Sequence, residues 1–212
     1  MLGNRKAWRL SIVSFVVRSG ERHLHHNFVV ALLNDLFGIQ ARGGCSCAGP
    51  YGHRLLGIDV VRSRAYEREI LRGSEGIKPG WVRMNFNYFI SEASFEFLLD
   101  AVDFVATHGE RFLPLYHFSP VTGLWRHRGW TGADLMRLDA VKYDAGGPHA
   151  MFKHGHATEE ELPAYLERAK ALLETIDAEA AALPAADAEP TTTDFEALRW
   201  FPLPDEAACR VG

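Results

Sequence analysis

The amino-acid sequence predicts an α+β sandwich in which helices cover one face of a small sheet. Two runs, 10–17 and 81–89, are rich in β-branched and aromatic residues and read as strands. Between and after them, the runs 23–37 and 61–71 and the stretch following Ser91 repeat apolar residues at three- and four-residue steps, the mark of amphipathic helices. The order strand, helix, strand, helices, strand, helix calls for two packed layers around one core. At 212 residues, with 47% hydrophobic and 24% charged content, the chain suits one globular domain with an extension.

The first strand, 10–17, mixes alternation with β-branched side chains, and Gly20 is the pivot of the turn after it. In the helix 23–37, Leu24, Phe28, Ala31, Leu32 and Asp35 share a face, and Gly38 suits a left-handed helix end. Residues 39–41 read as a short strand that delivers Arg42 and the pair Gly43-Gly44 to a loop carrying Cys45 and Cys47. Glycines there permit positive φ and close approach of a ligand or another backbone. Pro50 opens a short helix through His53 and Leu56, and 61–71 is a second, more exposed helix.

Gly73, Gly76, Pro79 and Gly80 mark the loop into the strand 81–89. Trp81, Arg83, Asn85, Asn87 and Phe89 share one face of that strand, and Val82, Met84, Phe86 and Tyr88 form the other, expected to be the core face. Ser91 is a suitable N-cap, Glu92 favours the positive helix end, and Phe95, Leu98, Leu99, Val102 and Val105 form the expected apolar stripe. From Leu113 the texture becomes aromatic and proline-punctuated, with Trp125 and Trp130 read as core or contact aromatics. Residues 158–183 read as a long helix opened by a Thr158…Glu161 capping box, with Pro163 as an alternative start. A linker-like run follows, and Phe195, Trp200 and Phe201 are free to dock from the tail.

Composition excludes several classes of function. A formal net charge of −4 gives no electrostatic reason to expect nucleic acid or an acidic membrane surface. No apolar run reaches the ~18 residues of a membrane-spanning helix, and the first residues lack a signal-peptide pattern. Three cysteines, two of them in Cys-x-Cys, do not make a disulfide framework, so a reducing cytoplasm is the expected compartment.

The segment from Arg42 through Cys45 and Cys47 to Pro50 resembles the Arg-x-Gly-x-x-Cys-Ala-x-Pro segment of class V aminotransferases. That family contains the cysteine desulfurases, pyridoxal-phosphate enzymes of fold type I. Residues 80–98 resemble the family's strand, Asn-Tyr turn and acidic helix start, and the order and spacing of the matches are those of its C-terminal small domain. The resemblance implies such a domain over residues 1–128, with a three-stranded mixed or antiparallel sheet, and a helical extension over 129–212. It implies that Arg42 holds the α-carboxylate of an amino-acid substrate, a task suited to a planar bidentate fork. It places Cys47 at the mobile-loop nucleophile of the desulfurases, whose thiolate takes the substrate sulfur as a persulfide and is favoured by a neighbouring arginine. Asn87 would line the substrate cleft.

In the family, a large domain binds pyridoxal phosphate through a lysine in a His-Lys pair and an aspartate on the pyridine nitrogen. The lysines here are Lys6, Lys78, Lys142, Lys153 and Lys170, and none follows a histidine. The chain alone is therefore expected neither to bind the cofactor nor to be active. It reads as a piece of a longer frame, as one subunit beside a large-domain partner chain or a second copy, or as a domain turned to binding. Two other readings stand beside the enzyme: a non-catalytic interaction module, and a thiol-redox or metal protein using Cys45 and Cys47. Cys-x-Cys with His53 is too short a spacing for the usual zinc knuckle. Cys45 lacks a motif counterpart and is expected to be structural, while His23, His25, His26, His154 and His156 read as solvent-facing or capping.

Overall fold

A computed structural model describes residues 1–4, 6–8, 10–45, 49–132, 141–150, 157–184 and 189–208. In chain order these hold β1 (Ile12–Phe15), β2 (Arg18–Ser19), β3 (Arg22–His23), α1 (His26–Phe37), β4 (Arg42–Gly44), α2 (Gly49–Leu56), α3 (Val60–Leu71) and β5 (Trp81–Asn85). There follow α4 (Glu92–His108), β6 (Tyr116–Phe118), β7 (Trp125–His127), β8 (Val141–Asp144), β9 (Gly147–Ala150), α5 (Leu162–Ala182), α6 (Thr193–Leu198) and α7 (Pro204–Ala208). The α+β class expected from the sequence is the one observed. No helix among the described residues is long and apolar enough to cross a membrane.

Three strands in the order β1-β5-β4 form an antiparallel sheet with β5 in the centre. The pairs Val13↔Met84, Phe15↔Val82 and Gly43↔Val82 lie on the face toward α1, where Phe15, Val82 and Met84 are buried. Helix α1 buries Phe28, Val29, Leu32, Leu33 and Phe37, and α4 and α5 pack against it and against each other. Gly38 takes φ +67 and closes α1 as expected. The amide of Ile39 also bonds back to the carbonyl of Leu33, at 3.0 Å. An amide spent on closing a helix cannot join a ladder, which is why the third strand is Arg42–Gly44 and not residues 39–41.

Three face assignments are corrected. Strand β5 ends at Asn85, so strict alternation stops there: Tyr88 is 97% exposed instead of buried, and Phe86 is half-buried, edge-on to Phe95. Trp81, expected on the open face, is buried because α2 lies on it, so close that a Cβ added at Gly52 would stand 3.0 Å from the indole ring. In α4 the cap at Ser91 forms as expected, but the buried residues are Phe97, Ala101, Phe104 and Val105, and Leu99 faces water. The stripe turns because Phe37 of α1 meets Phe97 and Phe104, and Tyr165 of α5 meets Phe97.

Beyond α4, the aromatic segment forms the β6–β7 hairpin, and Trp125 belongs to the core. The Thr158…Glu161 box is present but caps a short 3-10 turn, with α5 starting at Leu162 and Pro163 in its first turn. The tail docks as expected: Phe195 and Phe201 are fully buried, beside Phe118 and His25. Helix α3 is the more exposed helix expected, with only Tyr66 and Glu69 buried: Tyr66 donates its hydroxyl to the Leu198 carbonyl and Glu69 accepts from Thr192.

Candidate functional site

The site is built where the edge strand β4 runs beside β5. Gly43 faces α1, so its neighbour Arg42 projects from the opposite face, directly across from Arg83. Opposed residues of an antiparallel pair hold their Cβ atoms about 5 Å apart, and like charges so placed repel. No acid among the described residues pairs with either guanidinium, and Nε of Arg83 is buried with no hydrogen-bond partner. Two planar cations aligned on one strand pair can bracket a planar anion, with a bidentate fork available from each. Ser14, paired with Arg83 from the other side, extends the row.

Close packing behind the sheet holds this edge in place. A Cβ on Gly43 would stand 2.6 Å from Oδ1 of Asn27 and 3.1 Å from Cδ2 of His26. Asn27 cannot easily yield, because its Nδ2 donates to the Gly123 carbonyl at 2.7 Å. Gly44 takes φ +117, so the two glycines serve different ends, contact at 43 and conformation at 44.

The histidines on that side are buried, not solvent-facing. His25 caps α1: its Nδ1 accepts the Asn27 amide at 3.1 Å, which leaves Nε2 to donate to the Gly76 carbonyl at 3.1 Å. Burial, and then the neighbouring His26, hold His25 well below the usual histidine range. Burial lowers His26 to about 4, and its Nδ1 has no partner. Both rings are therefore neutral at neutral pH and stack on one another and on Trp200.

Of the residues singled out in the sequence, Arg42 and Cys45 come to this edge. Cys45 is exposed and lines a cavity of about 370 Å³ together with His53, Lys78 and Trp81. Cys47 lies outside the described residues. Asn87 is half-buried, and its Oδ1 accepts the amide of Phe89 at 3.3 Å, so it shapes its own turn. Arg83 was legible only as a member of the open face of the strand; its register with Arg42 was not.

Among the described residues no three His, Cys, Asp or Glu side chains are grouped to hold a metal ion. Among the described lysines, Lys6 and Lys142 are exposed, while Lys78 and Lys170 are paired with Glu75 and Glu167. Lys153 lies outside the described residues. No family model, curated protein or solved structure matches the chain.

Proposed function

We propose that this chain is the substrate-side domain of a pyridoxal-phosphate enzyme of the class V aminotransferase and cysteine-desulfurase type. In this reading it holds the α-carboxylate of an amino acid between Arg42 and Arg83. The observation that carries the proposal is the register of Arg42 directly opposite Arg83 on the face of the sheet away from the core helices, with no acid among the described residues paired to either. The sequence resemblance over residues 42–50 and 80–98 supports it independently. The described residues do not fit the cofactor itself, so its chemistry is assigned to a large-domain partner, or to a further part of the same protein. Exposed Ile12, Tyr88 and Phe89 supply apolar surface near the strand pair for such a contact. In a reducing cytoplasm, Cys45 and Cys47 remain thiols.

The test is site-resolved alkylation of Cys45 and Cys47 by iodoacetate and by the neutral iodoacetamide. A carboxylate site raises the iodoacetate-to-iodoacetamide rate ratio several-fold in the native chain over the urea-unfolded one. Arg42→Gln and Arg83→Gln should each lower that ratio. A native ratio equal to that of the unfolded chain rejects the carboxylate site.

A further inference from the structure

The strand pair that carries the two arginines also leads into a cavity. Gly44 pairs with Trp81 two residues along from Arg42 and Arg83, on the same face, a step of about 7 Å. Cys45 follows Gly44, and Cys45 and Trp81 are both walls of the cavity of about 370 Å³. Among the described residues its other walls are mainly apolar, with Leu56 from α2 and Tyr66, Ile70 and Leu71 from α3. His53, Glu67 and Lys78 supply the polar part, and Lys78 is already paired with Glu75. Gly52 lets α2 lie against the Trp81 ring, so the cavity beside that ring depends on a missing side chain.

We propose that the site takes an amino acid with a bulky apolar side chain, lying in this cavity beside Trp81 while the carboxylate spans Arg42 and Arg83. This rests on the proposed carboxylate site and adds the substrate class to it. The volume falls within the ~300–1,000 Å³ of small-molecule sites, far more than a methyl or thiol group fills. An alanine or cysteine side chain would leave these apolar walls in contact with water, whereas each further carbon buried against them adds affinity.

The test uses Cys45 as the reporter, because it lines the cavity and is exposed. Its alkylation by iodoacetamide is followed in the full chain with added L-leucine, L-alanine or 3-methylbutylamine, which is leucine without its carboxylate. Leucine should half-protect Cys45 at a concentration about tenfold or more below that of alanine, as three more buried carbons imply. The amine should protect poorly. Ser63→Leu, which fills the cavity from α3, should remove the advantage of leucine and leave alanine unchanged. Leu71→Gln should weaken leucine protection at a lining residue that is 80% exposed and so replaceable without unfolding. Equal protection by leucine and alanine, with the amine still inferior, overturns the side-chain inference and leaves the carboxylate site standing. Equal protection by leucine and the amine overturns the carboxylate site and this proposal with it, and no protection by any of the three overturns both.

Discussion

A Cβ on Gly80 would stand 2.8 Å from Cε1 of His26 and 2.7 Å from the carbonyl carbon of Gly44. The imidazole thus occupies space that β4 and β5 leave only because residues 43 and 80 carry no side chain. That contact seats the edge strand immediately before the Cys45 loop, behind the face that bears Arg42 and Arg83. The buried ring and the open-face arginines are two sides of one arrangement.

Gly80→Ala forces backbone apart, because its nearest neighbour is the Gly44 main chain and not a flexible side-chain end. The expected cost is about 1–3 kcal/mol, the range for overpacking a tight site. Urea unfolding measures it, and a cost below about 0.5 kcal/mol would show that the strand pair has room to spare.

Stability should fall as the solution is acidified below neutrality. His26 has a folded value of about 4 against 6.5 when free, so the unfolded chain takes up its proton first. Its contribution is complete above pH 6.5 and is lost as pH falls from 6.5 toward 4, amounting to about 2 kcal/mol by pH 5. His25, lowered in the same direction by burial, adds to the effect. Chemical unfolding at pH 7.5 and pH 5 tests this, with His26→Asn expected to flatten part of the slope. A stability indifferent to pH over that interval would contradict the buried neutral pair.

Glu69 ties α3 to the tail. Its side chain is 1% exposed, accepts from Thr192 Oγ1 at 2.7 Å and pairs with Arg72, which also reaches Asp194. Glu69→Ala should cost about 2–3 kcal/mol, toward the lower end for breaking a buried polar pair because Arg72 remains partly in water. The same change should speed proteolysis within residues 189–203, whereas Glu69→Gln keeps the Thr192 bond and should cost less. Unaltered cleavage in the Ala variant would show that Phe195 and Phe201 dock the tail without this clip.

Phe86→Ala should cost about 1–2 kcal/mol, below the ~3–5 kcal/mol expected for fully buried Phe28→Ala. Phe86 is half-buried past the end of β5, while Phe28 has no exposed surface. Equal costs in parallel denaturant titrations would return Phe86 to the core face that simple alternation assigns it.

Much of the fold was readable from signals that span only a few residues. The Gly38 helix end, the Ser91 cap, the Thr158…Glu161 box and the helical periodicity of α1 all depend on neighbours within about one turn, and all form. The Arg42 edge was legible in the same way, as an arginine beside a glycine pair. Residues 39–41 misled because a β-like composition does not reveal that the amide of Ile39 is spent on closing α1.

The amino-acid sequence by itself determined the α+β class and the positions of the main helices, and it singled out Arg42 beside its glycine pair. Only the tertiary structure decided that Arg83 faces Arg42, that α2 covers Trp81 and that His26 fills the gap left by Gly43 and Gly80. Each of these relations joins residues some 17 to 54 positions apart in the chain. Periodicity and capping are written within one element, whereas strand register and the covering of a face are set by which distant elements pack together.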